Sequence, residues 1–139
     1  MMVGTFDLSL ETSGDSDLID ITGKVTKVLR DSGISSGIVT IFVPGSTAGV
    51  TTIEYEEGAL RDFQAAIERI APKGIHYDHD ARWGDGNGYS HIRASLLGPS
   101  LTVPFSSSKL LLGTWQQIVL IDFDNRPRTR RVVIQVLGE

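Results

Sequence analysis

The chain has 139 residues, of which 40% are hydrophobic, and this size and composition suit one globular domain with a buried core. Thirteen basic residues stand against 17 acidic ones, a net charge of −4, so we expect binding neither to nucleic acid nor to an anionic membrane surface. Cysteine is absent, which excludes disulfides and thiolate chemistry, and no long apolar run or leader pattern is present, so we expect no membrane span, no signal peptide and a cytoplasmic location.

The first half of the chain alternates between strand and helix patterns. Residues 5–10, "TFDLSL", alternate apolar and polar side chains, which predicts a half-buried strand. Residues 20–33 place apolar side chains on one helical stripe, with Asp20 as a possible N-cap and Gly33 as a possible C-terminal stop. Two short β-rich runs follow, at 37–44 and 49–55. The first of them is apolar on both faces, as is typical of a strand deep in a sheet.

The second half begins with the clearest helix, residues 56–72, which Pro72 ends. Its apolar stripe is predicted to face the core and consists of Leu60, Phe63, Ile67 and Ile70. A polar, glycine-rich loop precedes a short helix over 90–98, with Ser90 or Asn87 near its start and Gly98 at its end, although a strand is possible there. Three β-rich segments complete the chain, at 100–105, 109–124 and 128–138. We expect the last two to pair antiparallel, within one α+β domain over residues 1–139.

The stretch "YDHDARWGDGNGYSHIRAS", residues 77–95, holds two of the three histidines in the chain. His79 and His91 flank a glycine-rich loop, and nearby aspartates could orient an imidazole or bind Mg²⁺ directly. Glycine also lets backbone N–H groups converge on an anion. The alternative is that the aspartates form turns and the histidines are only hydrogen-bonded. The spacing of the histidines alone does not choose between a metal site and a solvated loop.

Two further segments carry polar residues that could bind or react. "VPGSTAGVTTIE" joins two predicted strands through Ser46 and Thr47, a turn that could hold a phosphate or be an ordinary connection. Glu54, at the end of this segment, could be a metal ligand, a general base or an exposed strand residue. In "GTWQQ", Gln116 has the parity of an apparently buried face and would need hydrogen-bond partners there.

Four arginines lie within "RPRTRR" in an otherwise acidic protein. Arg128 and Arg130 have the same strand parity, so both could clamp a phosphate or a carboxylate. The alternative is a charged edge strand that resists aggregation. The chain has no cysteine nucleophile and no G-x-S-x-G serine motif, so covalent catalysis by those routes is not expected.

Taken in order, "VPGSTAGVTTIE", "YDHD", "NGYSHIRASLLGPS", "VPF" and "LGTWQQIVLIDFDNRPRTRRV" resemble the YjbQ-like family, whose members are often described as secondary thiamine-phosphate synthases. The resemblance runs from about residue 4 to residue 138. It implies a compact α+β domain in which mixed β-sheets form a sandwich or barrel with a few packed helices. It also implies a homotrimer, and a transferase that joins a pyrimidine diphosphate to a thiazole phosphate and releases diphosphate.

The resemblance, taken together with the local patterns described above, gives individual residues a predicted role. The catalytic set is His79, His91, Glu54 and Arg128, and the set that binds the phosphorylated ligand is Ser46, Thr47, Asn87, Gln116 and Arg130. A divalent metal, Mg²⁺ or Zn²⁺, would be held by His79 and His91. Many members have histidine where this chain has Gly45, so this chain has one potential ligand or acid/base fewer. The alternative function is a trimeric protein that binds a metal or a phosphometabolite without converting it.

Overall fold

The computed structural model describes residues 1–139, which form eight strands and four helices. The strands are β1 (Met2–Thr12), β2 (Asp17–Asp20), β3 (Gly37–Phe42), β4 (Ala48–Ile53), β5 (Ser100–Ser106), β6 (Lys109–Leu110), β7 (Gln117–Asp122) and β8 (Arg128–Gly138). The helices are α1 (Thr22–Ser32), α2 (Glu57–Ile70), α3 (Asp78–Trp83) and α4 (Gly88–Leu97). No helix is long and apolar enough to cross a membrane.

The strands form two antiparallel sheets. The larger has five strands in the order β1-β8-β3-β5-β6 and is curled into half a barrel, and the smaller has the order β2-β7-β4. The α+β class and the two-sheet arrangement are confirmed, but every strand pair is antiparallel, so neither sheet is mixed. The predicted pairing of the last two long strands is wrong, because β7 lies in the smaller sheet and β8 in the larger one. The segment that joins them therefore crosses from one sheet to the other.

The smaller sheet is apolar on both faces, which explains the unbroken run "IVLI" in β7. Ile118 and Leu120 point toward the larger sheet and join the main core, to which α1 adds Val25 and Leu29. Val119 and Ile121 point the opposite way and pack with Ile67 of α2 and Ala94 of α4. Successive side chains of a strand alternate between faces, so both sides of this sheet are covered.

The helix patterns are confirmed with local differences. α4 has Asn87 as its N-cap residue and Gly98 as its C-cap, as predicted. α1 ends at Gly33 as predicted, but its N-cap residue is Ile21 rather than Asp20. In α2 the predicted core stripe is wrong at Ile70, which is 65% exposed because the helix ends there at the surface. The polar loop before α4 is partly helical, since α3 occupies six of its residues.

Candidate functional site

A cleft of about 590 Å³ opens where three connections meet. These are the turn between β3 and β4, the crossing segment between β7 and β8, and the residues that lead into α4. None of the residues that line the cleft is hydrophobic: they are Gly45, Ser46, Thr47, Asp85, Asn87, His91, Asp124, Asn125, Arg126, Arg128 and Arg130. A lining of this kind suits a charged, strongly hydrated ligand rather than an apolar one.

At the base of the cleft an ion pair joins the two sheets. Arg130 donates from Nε to Asp122 Oδ2 and from Nη2 to Asp122 Oδ1, both at 2.8 Å. Thr12 on β1 donates its hydroxyl to the same carboxylate at 2.5 Å. Arg130 is 4% exposed and Asp122 is 0% exposed, so the pair is sheltered from water. Burial by itself would raise the pKa of Asp122, but the hydrogen bonds from Arg130 and Thr12 outweigh burial and hold this pKa below its usual value.

Asp124 continues the network toward the opening of the cleft. Its Oδ2 accepts hydrogen bonds from Thr47 Oγ1 at 2.9 Å and from Arg128 Nη1 at 3.1 Å. Its Oδ1 is buried and has no hydrogen-bond partner within the protein. Arg128 and Arg130 both line the cleft, as their common parity predicts. The alternative of a charged edge strand is wrong, because β8 lies between β1 and β3.

The turn between β3 and β4 leaves backbone donors free. The backbone N–H groups of Gly45, Ser46 and Thr47 make no hydrogen bond within the protein. Gly45 has φ +120°, a conformation that favours glycine, and a Cβ there would lie 3.1 Å from Arg130 Nη1. That nitrogen is the part of the guanidinium that bonds neither Asp122 nor Thr47. Gly45 and Ser46 are exposed at the cleft and Thr47 is buried, so this corner offers unpaired N–H donors that an anion can reach.

The two histidines lie together at the edge of the cleft. Their ring centroids are 4.2 Å apart, so α3 and α4 bring His79 and His91 into one location as predicted. His79 Nδ1 is buried without a hydrogen bond and lies 3.5 Å from Asp85 Oδ1 and 3.8 Å from Asp80 Oδ1. Burial and the neighbouring His79 lower the pKa of His91, which favours its neutral form.

The donor atoms around His79 fit a divalent metal. His79, Asp80 and Asp85 offer one nitrogen and two carboxylate oxygens that all lie within 4.8 Å of one another. The unpartnered Nδ1 of His79 is available as a ligand because nothing in the protein bonds it. His91 is not a member of this group; it contacts the ring of His79 instead. The donors that could hold a divalent metal are therefore one histidine with two aspartates, rather than the two histidines that the sequence suggested.

Two of the expected site residues lie elsewhere. Glu54 directly follows β4, at the end of this strand that is far from the cleft. Gln116 directly precedes β7 and lies near Glu54, because Ile53 of β4 pairs with Gln117 of β7. At about 3.3 Å per residue, the seven steps along β4 from Thr47 to Glu54 separate these two residues by about 23 Å. Gln116 is exposed rather than on a buried face, and its side chain bonds Thr52 Oγ1 and Gly113 N. Within one chain, neither residue reaches the cleft.

Sequence reasoning missed the acids at the centre of the cleft. Asp122 and Asp124 stand in a run that the sequence marks only as β-rich, yet both are almost fully buried. A signal was present: Asp122 has the parity of Ile118 and Leu120, which places a carboxylate on a buried face. A buried carboxylate needs a cation, and the following arginines supply it.

The chain matches one known protein family over almost its whole length. The family model described as UPF0047 protein YjbQ-like matches residues 6–139. The chain belongs to the YjbQ-like family. A UPF0047 protein of Archaeoglobus fulgidus is 39% identical over 94% of this chain and 99% of its own length. One of Methanothermobacter thermautotrophicus is 42% identical over 100% of this chain and 95% of its own length.

Solved structures of YjbQ-like proteins share the fold. A YbjQ-like protein of unknown function from Sulfolobus solfataricus is 31% identical and superposes with a TM-score of 0.89, covering 99% of this chain and 100% of that one. A yjbq/upf0047 family protein of Clostridium acetobutylicum is 38% identical with a TM-score of 0.87, covering 95% and 99%. The names of these relatives state the family and give no activity, so membership establishes the fold and leaves the chemistry to the cleft.

Proposed function

We propose that the cleft binds the phosphate group of a small molecule. The observation that carries this proposal is the turn at Gly45, Ser46 and Thr47, whose three backbone N–H groups have no partner in the protein and which passes beside Arg130 Nη1 at Gly45. Free N–H groups next to a guanidinium are donors that suit the oxygens of a phosphate.

The charges of the cleft favour a phosphate at its open side. Arg130 is already paired with Asp122, and Arg128 shares Asp124, so the base of the cleft is balanced internally. Arg126 lines the same cleft, is exposed and makes no ion pair. It therefore offers a phosphate a guanidinium that no carboxylate occupies, and the remaining acid of the lining, Asp85, lies beside His79 instead. Arg128, which is 36% exposed, can turn one edge of its guanidinium toward the same anion.

A divalent metal at His79, Asp80 and Asp85 would sit at the edge of this anion site. Mixed imidazole and carboxylate ligands suit Zn²⁺ or Mn²⁺ more than Mg²⁺, which prefers oxygen ligands alone. When bound, the metal would neutralise charge on a phosphate or diphosphate.

Thiamine-phosphate synthesis, or a related transfer that releases diphosphate, is the reaction we propose for this site. The turn amides and Arg128 would hold the leaving diphosphate as its charge develops. His91, whose pKa is lowered by burial and by His79, is neutral at pH 7 and can donate a hydrogen bond to the departing diphosphate. It would not act as a base in this step, because the thiazole nitrogen that attacks the pyrimidine methylene carbon carries no proton. The second candidate is a binder that releases its ligand unchanged. A single-turnover assay distinguishes the two, since only a transferase yields thiamine phosphate and diphosphate.

Assembly into a trimer is part of the proposal. The outer face of the larger sheet carries an apolar row across four strands, formed by paired residues Val3, Leu137, Ile38 and Pro104. Ile38 is 40% exposed and Val3 is 62% exposed in the single chain. Contact with other copies would cover this row. Sedimentation equilibrium at micromolar concentration should give three times the chain mass; a single-chain mass would refute the trimer.

Calorimetric titration of inorganic phosphate and diphosphate tests the anion site. Arg128→Ala should weaken binding by about 1.5 kcal/mol, which is about tenfold, because a charge-assisted hydrogen bond is lost. Arg131→Ala is the matched control, since Arg131 lies on the same strand but faces away and pairs with Asp7. Equal affinities for the wild type and Arg128→Ala would contradict the proposed role of Arg128, and no phosphate binding by the wild type would contradict the function.

A further inference from the structure

A second cavity, of about 490 Å³, lies on the other side of His91 between α3 and α4. Its walls include Tyr77, His79, His91 and Ile92. His91 also lines the anion cleft, so this one residue is a wall of both cavities. The second space is therefore next to the proposed phosphate site.

The second cavity differs from the cleft in chemistry. No lysine or arginine lines it, and Asp78 stands at its rim, so it offers no counter-charge to an anion. The hydroxyl of Tyr77 donates to Pro72 O at 2.6 Å, which satisfies the polar end of this side chain. Its ring, together with the paired imidazoles and Ile92, offers flat and apolar surface. Aromatic and apolar walls of this kind favour an organic ring over a charged group.

Glycine at position 88 brings these walls together. A Cβ on Gly88 would lie 2.6 Å from Cβ of Tyr77, closer than two side chains can approach. The first turn of α4 can therefore rest against Tyr77 only because residue 88 has no side chain. This contact holds His91 and Ile92, which lie on α4, opposite Tyr77, which directly precedes α3.

We propose that this cavity is the subsite for the organic group of the ligand, and that it selects phosphomonoesters of flat, largely apolar groups over free phosphate and over polyhydroxylated esters. The inference rests on the proposed phosphate site. It also fixes the orientation of the ligand: the phosphate lies at the turn and the arginines, and the organic group lies between α3 and α4, with His91 beside the bond that joins them.

Calorimetry with inorganic phosphate, glycerol 3-phosphate and phenyl phosphate tests the subsite. The wild type should bind phenyl phosphate at least about fivefold more tightly than either of the others, because part of a phenyl ring leaves water. Ile92→Gln should abolish this preference and leave the affinity for inorganic phosphate within about twofold. Leu96→Gln is the matched control, one turn further along α4, exposed and outside both cavities, and it should keep the preference.

Each outcome decides a specific point. A wild type that binds phenyl phosphate no more tightly than glycerol 3-phosphate overturns the subsite while leaving the phosphate site intact. A preference that survives Ile92→Gln, or that both glutamine variants lose equally, also overturns it. Absence of binding by all three phosphates overturns the proposed function, and the subsite with it.

Discussion

Replacement of Arg130 by methionine tests the ion pair that joins the sheets. Two hydrogen bonds from Arg130 to a fully buried Asp122 would be lost. A hydrogen bond to a charged group contributes about 1.5–3 kcal/mol, so two give about 3–6 kcal/mol. Removal of one partner of a buried pair costs about 3–5 kcal/mol because the other charge stays buried. We expect Arg130→Met to lower the free energy of unfolding by about 3–5 kcal/mol.

Urea denaturation followed by circular dichroism at pH 7 measures this loss, with Arg131→Met as the control. Arg131 is 62% exposed and pairs with an exposed Asp7, so its replacement should cost no more than about 1 kcal/mol. The pH dependence provides a second check. In the wild type, the lowered pKa of Asp122 stabilises the fold above the unfolded pKa of 3.8, and this stability is lost as the pH falls through the folded pKa.

Without the guanidinium, burial raises the pKa of Asp122, so the folded variant takes up a proton at a higher pH than the wild type does. The stability deficit of Arg130→Met should therefore narrow between pH 7 and pH 4. A deficit below about 1 kcal/mol at pH 7, or one equal to that of Arg131→Met, would refute the reasoning.

Three further predictions concern the edge of the cleft. The folded pKa of His91 lies below its ordinary value of 6.5, so the stability of the wild type should fall as the pH drops below that value. In thermal melts between pH 5 and 8, the melting temperature of His91→Asn should depend less on pH than that of the wild type. An equal pH dependence in the two proteins would count against this role of His91. His79→Ala should reduce zinc bound after dialysis, measured by mass spectrometry, with the fold retained; unchanged zinc would exclude His79 as a ligand. In urea denaturation, Gly45→Ala should lower the free energy of unfolding by about 1–3 kcal/mol, because φ is +120° at this position. Gly23→Ala is the control: a Cβ there meets open space in α1, and the free energy of unfolding should rise by about 0.5 kcal/mol. Equal effects of the two substitutions would argue against backbone strain at Gly45.

Local patterns in the sequence predicted the elements better than they predicted the partners. Asn87 and Gly98 lie at the two ends of α4 as expected, because the capping of a helix depends on a few neighbouring residues. The pairing of β7 and β8 could not be read from their order, since the crossing segment is short enough for a hairpin yet leads to another sheet. Pairing depends on which apolar face each strand buries, and β7 is apolar on both.

The site was predicted where one local turn or one loop held its residues. The parity of Arg128 and Arg130 and the common loop of the histidines were sufficient to bring them together. The prediction that Glu54 lies at the site was wrong because the two ends of a strand lie about 20 Å apart. The positions of residue types along the sequence do not show which end of β4 faces the cleft.

The ion pair between Arg130 and Asp122 also affects how an activity should be transferred between members of this family. These two residues hold the sheets together whether or not a ligand ever enters the cleft, so a relative that had lost all activity would still need them to fold. Their presence is then a mark of the architecture and does not by itself establish an activity. Transfer of an activity from one member to another should rest instead on residues that the fold can do without, such as Arg126 and Ile92, whose exposed side chains leave the packing unchanged when they are replaced.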